Sequence, residues 1–238
     1  MRLALGSRVF APSLLATLLL LPLLALLLWL GSWQLERAAD KRALLRAFEV
    51  PSGTPLTLSA SSAARQLPRY ARVTLSGRYR PQHQFLLDNM THQGAVGYRV
   101  VTPFATADGA LVLVDRGWVP LGTSRAALPP VAVGEDARTV TGRIDELPRA
   151  GLTLKAVATS GWPRVLNYPS AAELEGALGE RLHPGLVLLD ADAADGYLRE
   201  WRPGGFPPER HVGYALQWFA LAVTLFAGYT VASLRPLQ

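Results

Sequence analysis

The chain has 238 residues, a formal net charge of +6, 50% hydrophobic and only 18% charged residues, and no cysteine. Globular chains average about 25% charged residues; the shortfall is local, because residues 9–35 and 212–234 carry no charge at all and as helices would run about 40 and about 34 Å against a bilayer core of about 30 Å. This excludes a soluble cytosolic protein, and the lack of cysteine excludes disulfides, thiolate nucleophiles, iron–sulfur clusters and cysteine-ligated zinc.

The first apolar segment exceeds the 7–15-residue core of a signal peptide, and its exit through Trp29, Leu30, Gly31, Ser32 and Trp33 offers no good cleavage site. It reads as an uncleaved anchor with a tolerated kink at Pro22 and an interfacial aromatic belt at Trp29 and Trp33. The helical pattern continues beyond it. Gln34, Arg37 and Lys41 share one face at i, i+3 and i+7, with Leu44, Leu45 and Phe48 near another. Pro51-Ser52-Gly53 should stop this helix near Val50. The basic face reads as lipid-headgroup contact, or as a docking surface.

Residues 51–210 read as one β-rich domain. Val73, Leu75 and Tyr79 alternate with Arg72, Thr74, Ser76 and Arg78; Phe85, Leu87 and Asn89 continue the alternation, and Tyr98, Val100, Thr102 and Phe104 make a third strand. Asp108-Gly109 is a hairpin turn leading into Leu-Val-Leu-Val-Asp-Arg-Gly-Trp-Val-Pro, an apolar run that predicts a strand covered on both faces. Val140, Gly142 and Ile144 mark another strand, and residues 187–189 a last one. Ser170 with Glu173 forms a capping box for one helix ending at Gly179. Thr74-Leu75-Ser76-Gly77-Arg78 echoes Thr139-Val140-Thr141-Gly142-Arg143; two strands that each need a glycine at a bulge explain this as well as duplication does. The predicted architecture is a mainly antiparallel sheet or open barrel with a small helical part, flanked by two transmembrane helices.

The second apolar segment follows Pro207-Pro208-Glu209, a suitable first helical turn. Ala220, Thr224 and Gly228 recur every four residues and predict close packing against the first helix or a partner, and Gln217 calls for a hydrogen-bond partner in lipid. Charge does not orient the chain. Arg37, Lys41, Arg42 and Arg46 follow the first span, but loops this long escape the positive-inside rule.

Catalytic chemistry is nearly absent. The sequence has no nucleophile elbow, phosphate loop, dinucleotide fingerprint or zinc-protease motif. No basic stripe interleaved with aromatics points to nucleic acid. His83, His92 and His183 are expected at the surface, and Asp190, Asp192 and Asp195 fit no calcium loop and read as a solvated turn. His211 differs, because it lies in the first turn of a membrane helix with Tyr214 and Trp218 at i+3 and i+7. A neutral histidine beside flat apolar rings at the membrane surface suits a haem iron and its porphyrin; the plain alternative is an ordinary interfacial polar residue.

Three segments together carry a family resemblance. Leu30-Gly31-Ser32-Trp33-Gln34-Leu35-Glu36-Arg37 with Lys41 resembles the exit of the first helix in the Surfeit locus protein 1 family. Gly97-Tyr98-Arg99-Val100-Val101-Thr102-Pro103-Phe104 and Val112-Leu113-Val114-Asp115-Arg116-Gly117-Trp118-Val119-Pro120 resemble its centre, with Asp115 where asparagine is common. His211-Val212-Gly213-Tyr214-Ala215-Leu216-Gln217-Trp218-Phe219 resembles the start of its second helix. Residues 121–200 match only loosely.

The resemblance implies an assembly factor for cytochrome c oxidase, a chaperone without turnover and without catalytic residues, linked to placing haem a into subunit I. It implies that two helices flank a domain outside the cytoplasm, in the periplasm or the mitochondrial intermembrane space; the composition, with arginine far above lysine and abundant Ala, Gly and Pro, favours a bacterial source, hence a multi-pass protein of a bacterial inner (cell) membrane with a cytoplasmic N-tail 1–8, spans 9–33 and 211–234, a juxtamembrane helix 34–50, a periplasmic domain 51–210 and a cytoplasmic C-tail 235–238. His211 becomes the candidate ligand of the haem iron, with Tyr214 and Trp218 beside the porphyrin and no other metal site. Tyr98, Arg116, Gly117, Trp118 and Gln217 become candidate contacts for subunit I or for its assembly and haem a synthesis factors. A non-haem scaffold that stabilises an oxidase intermediate is the alternative; a membrane-anchored hydrolase has only scattered carboxylates in its favour.

Overall fold

The computed structural model describes residues 3–5, 8–49, 54–58, 67–149 and 161–236, so the predicted helix stop at Pro51-Ser52-Gly53 lies outside the described residues. The chain divides into two units, Met1–Arg46 with Pro203–Gln238, and Ala47–Arg202.

The first unit is built on two helices, α1 (Leu14–Glu49) and α3 (Pro208–Ser233), both long and apolar enough to cross a membrane. The first starts at Leu14 because Ser13 caps it, its Oγ accepting from the Ala16 N–H at 3.1 Å. The preceding residues are extended: β1 (Leu3–Leu5), β2 (Arg8–Phe10) and β11 (Leu234–Pro236) form a three-stranded antiparallel sheet from the two ends of the chain. One continuous helix covers both the predicted span and the predicted juxtamembrane segment, with Pro22 inside it.

The two helices meet antiparallel along a seam of small residues. Leu20, Leu27, Gly31 and Ala38 are buried on α1, and Ala215 and Ala222 on α3, at the sevens and fours of a knobs-into-holes repeat. Gly31 faces the ring of Phe219, where an added Cβ would stand 2.5 Å from Cε1. The Thr17 and Tyr229 hydroxyls meet at 2.7 Å farther along the seam. The expected stripe lies beside this seam, with Thr224 and Gly228 lining a groove next to α1. Ala220, Thr224 and Gln217 are exposed, and Thr224 Oγ1 donates to the Ala220 carbonyl of its own helix. Spacing of four identified a stripe, but the turn-by-turn phase of the seam is set by Ala215 and Ala222.

The second unit holds an eight-stranded mixed, mainly antiparallel sheet and a short helix. Its strands are β3 (Leu56–Thr57), β4 (Arg72–Tyr79), β5 (Phe85–His92), β6 (Ala95–Thr106), β7 (Leu111–Pro120), β8 (Arg138–Asp145), β9 (Arg164–Leu166) and β10 (Leu186–Leu189). The order is β3-β4-β8-β10-β7-β6-β5-β9, and a further pairing of β4 with β6 joins five of these strands into a ring. The barrel is therefore closed, where an antiparallel sheet or open barrel was expected. Its interior packs Val73, Leu75, Tyr79, Phe104, Val112, Val114, Val140, Ile144, Val187 and Leu189.

Two local features close the ring. Pro103 sits where β6 leaves β5, whose pairing ends at Val101, and takes up β4, whose pairing begins at Phe104. A residue with no N–H to offer suits a point where the ladder changes partner. Gly77 pairs with both Arg138 of β8 and Thr106 of β6, so the backbones crowd and a Cβ there would overlap the Ala105 carbonyl oxygen. Gly142 is crowded likewise by the Leu188 carbonyl. Close approach, and no bulge, thus accounts for both glycines of the sequence echo.

The predicted alternation holds in β4, where Val73, Leu75 and Tyr79 are buried, and β7 is covered on both faces as expected. It fails in β5: Phe85, Leu86 and Leu87 are all buried, and a bulge at Asp88-Asn89 turns Asn89 outward with φ 60°. The helix α2 (Ala171–Leu178) has the full capping box, with Glu173 N–H donating to Ser170 Oγ at 3.2 Å, and it ends at Gly179 in the left-handed conformation. Ser170→Ala should cost about 1 kcal/mol, checked by thermal unfolding of the purified chain.

Candidate functional site

In the helical unit the exit of α1 and the start of α3 bring three sequence-marked residues into register. The side-chain amide oxygen of Gln34 stands 2.8 Å from Nδ1 of His211, and both residues are half-buried. With that oxygen as acceptor, Nδ1 carries a ring proton, and in the neutral ring Nε2 is the nitrogen with the lone pair. Two turns beyond, Lys41 Nζ donates to the carbonyls of Pro203 (3.1 Å) and Gly204, tying the segment before α3 to α1. Arg37, on the same predicted face, stays exposed beside Asp40 at 3.7 Å and over the Trp33 ring at 5.6 Å. Phe206 adds an aromatic ring 6.5 Å from the His211 ring, with the Arg210 guanidinium 4.3 Å from the Phe206 centroid. Tyr214 is 43% exposed and Trp218 half-buried. The Gln34 contact was missed from sequence, although an amide beside a membrane span on the face of Arg37 and Lys41 was its visible sign.

This arrangement suits metal ligation. A ligating histidine usually donates its other ring N–H to an acceptor that fixes its orientation. Gln34 supplies that acceptor, and its neutral amide adds no charge at the membrane surface. Among the described residues no group of three or more histidines and carboxylates stands close enough to hold a metal ion by itself, so His211 offers a single donor of the kind a haem iron accepts.

The second predicted cluster lies in the β unit and is mostly interior. Arg116 is 1% exposed. It shares the inward parity of Val112 and Val114, and a bulge that sets Arg116 and Gly117 opposite Val100 aims it at the end of the barrel. Its guanidinium donates to the Asp195 carbonyl (2.8 Å), Gln84 Oε1 (3.0 Å), the Val131 carbonyl (3.0 Å) and the Ala132 carbonyl (3.2 Å). The Tyr79 and Tyr197 rings lie 5.6 and 5.1 Å away. Burial pulls the guanidinium down from its ordinary value.

Tyr98, 1% exposed, belongs to the apolar cluster with Leu86, Val100 and Val131. Gly117 holds φ 114° with the Leu198 carbonyl 2.7 Å from where a Cβ would sit. Trp118 is half-buried and donates from Nε1 to the Met90 carbonyl at 2.8 Å. Tyr98 and Arg116 thus lie inside the domain and Gly117 stands at the bulge. An arginine is ordinarily a surface residue, and here the bulge overrides that expectation. Next to it, Asp115 is fully buried beside Arg99, whose guanidinium lies 4.9 Å from the Trp201 ring. Burial pushes this carboxyl up, with Arg99 opposing.

The remaining candidates fall away from both places. His183 is buried, not exposed: its backbone N–H donates to the Leu111 carbonyl (2.7 Å) and its Nδ1 lies 2.8 Å from the Pro184 carbonyl. His83 and His92 are half-buried, the first edge-on to Trp162 (4.8 Å) and the second tilted against Trp118 (5.4 Å). Asp190 pairs with Arg72 at 2.8 Å and Asp195 with Arg138.

Burial of Tyr79 has a measurable consequence. Among the described residues its hydroxyl has no hydrogen-bond partner, and burial pushes it up to about 12. Between pH 10 and 12 the unfolded chain releases a proton that the folded domain retains, so stability falls as pH rises through that window, by about 2–3 kcal/mol at full extent. Tyr79→Phe should leave stability at pH 7 unchanged and remove this loss; urea unfolding at pH 7 and pH 11 measures both.

The sequence model of the SURF1 family matches residues 21–223, a stretch containing all three motif segments. A SURF1-like protein of Rickettsia felis is 25% identical over 218 residues, covering 87% of this chain and 91% of the relative. An uncharacterised SURF1-like protein of Mycobacterium tuberculosis is 26% identical over 207 residues, 82% of this chain and 73% of the relative. A SURF1-like protein of Dictyostelium discoideum is 33% identical over 99 residues, 37% of each chain. With its two span-capable helices flanking a mainly antiparallel β domain, this chain is a membrane protein and belongs to the SURF1 family, a family of cytochrome c oxidase assembly factors and not of enzymes.

Proposed function

We propose that this chain binds haem a at the membrane face and hands it to subunit I of cytochrome c oxidase, with the β domain in the periplasm. The observation that carries this reading is the 2.8 Å contact between Gln34 and His211, which leaves Nε2 as a free donor at the start of α3. A haem iron supplies an open axial position that such a nitrogen fills. The chain's own residues do the rest: Gln34 orients the imidazole, Lys41 holds the segment before α3, and Phe206, Tyr214 and Trp218 offer apolar rings nearby. A single protein donor suits a carrier, because the iron keeps a position for its destination.

The test is spectroscopic. Detergent-purified chain from cells that make haem a should carry a Soret band that His211→Ala abolishes. Equal haem content in the variant would end the assignment. In a deletion strain, haem a absorbance per oxidase subunit I should fall; an unchanged ratio contradicts the delivery role.

The scaffold reading draws on a different observation. Gln217 and Ala220 are exposed on α3, outside its seam with α1. Gln217 would there contact a helix of an oxidase assembly partner through its amide. Crosslinking from position 217 to oxidase subunits in cells unable to make haem a would favour this role over delivery.

A further inference from the structure

The halves of α1 and α3 nearest the chain ends do not close on each other. They leave a groove of about 530 Å³ lined by Ala16, Leu19 and Leu23 on one side and by Gly228 and Ala232 on the other. It follows α1 from Ser13 to Leu23, about 15 Å of helix. A slot of this length with apolar walls accommodates an acyl chain lying along the helices. Among the described residues no heavy atom lies within 4 Å of where a Gly228 Cβ would point, so Gly228 borders open space.

Charge at the mouth selects the headgroup. Arg235 lines the groove at the end where α1 begins, beside Ser13. The positive end of α1 lies there too, with its first-turn N–H groups. The sequence has no acidic side chain before Glu36 or after Glu209, and among the described residues no carboxylate side chain pairs with Arg235. An apolar slot with a cation at its opening is complementary to an amphiphile with a negative head.

We propose that this groove holds one anionic phospholipid, its acyl chain between α1 and α3 and its phosphate at Arg235. The site stands at the end of the helical unit remote from His211, and it does not depend on haem binding.

The experiment is native mass spectrometry of the full-length chain, delipidated in detergent and incubated with phosphatidylglycerol or phosphatidylcholine of identical chains. The expected result is one retained phosphatidylglycerol per chain, at least fivefold over phosphatidylcholine. Arg235→Gln should bring the two to parity. Gly228→Leu, placed in open space and so free to fold, should fill the slot and cut retention of both lipids several-fold; Ala232→Leu repeats this from the next turn. Equal retention of the two lipids by the unsubstituted chain overturns the proposal, as does undiminished phosphatidylglycerol retention in both filling variants.

Discussion

Arg116→Ala should destabilise the β unit by about 3–5 kcal/mol, the largest effect of any single substitution in the family-marked segments. The guanidinium is the donor for Gln84 Oε1 and for the carbonyls of Val131, Ala132 and Asp195, drawn from three separate segments. Removing it strands buried acceptors that each cost about 1–3 kcal/mol when unpaired; relaxation of the loops recovers part of that sum. Lysine should not rescue, because a single ammonium cannot reproduce a planar fork of five donors. The measurement is urea unfolding of the full-length protein in detergent, followed by tryptophan fluorescence. A loss below 1 kcal/mol would show that Arg116 is dispensable to the barrel and return it to candidacy as a functional group.

Gly77→Val should open the barrel where β4 meets β6. A Cβ at this position overlaps the Ala105 carbonyl, which is backbone and cannot rotate away. The pairings Gly77↔Thr106, Arg78↔Ala105 and Tyr79↔Phe104 would separate, exposing an end of the interior that contains Tyr79 and Phe104. The expected loss is about 3 kcal/mol or more, in the range of core substitutions that force backbone shifts. Hydrogen exchange distinguishes this from general destabilisation: β4 and β6 amides at the junction should exchange early while the β7–β10 pairing stays protected. Gly109→Ala is the control. Its glycine also has positive φ (96°), but nothing lies within 4 Å, so only the conformational cost of about 1 kcal/mol applies. Equal effects at both positions would show that crowding at Gly77 is unimportant.

The elements most legible in the sequence were those specified by local chemistry. Two uncharged stretches marked the helices, Ser170 and Glu173 marked α2, and alternation marked β4. Features that depend on distant partners were not legible. Closure of the ring requires β4 to meet β6 at Gly77, and no pattern within either strand encodes that encounter. The role of Arg116 turns on a one-residue bulge whose only local sign is Gly117. For the helices, periodicity marked candidate stripes but not which would face inward, so Ala220 and Thr224 were favoured over Ala215 and Ala222. His211 was legible from its place at the start of a span, but its bond to Gln34 joins residues 177 positions apart.

The place of β10 in the sheet dictates when the head can finish forming. Leu186–Leu189 is the last strand of the β unit to be synthesised, yet it lies between β8 and β7, antiparallel to one and parallel to the other. Until the ribosome has passed residue 189, two finished strands face each other across an empty lane. Nascent chains would wait with unpaired edges, the condition that recruits chaperones or invites aggregation. A premature stop anywhere before Leu186 would leave no smaller version of the barrel, only strands without their middle.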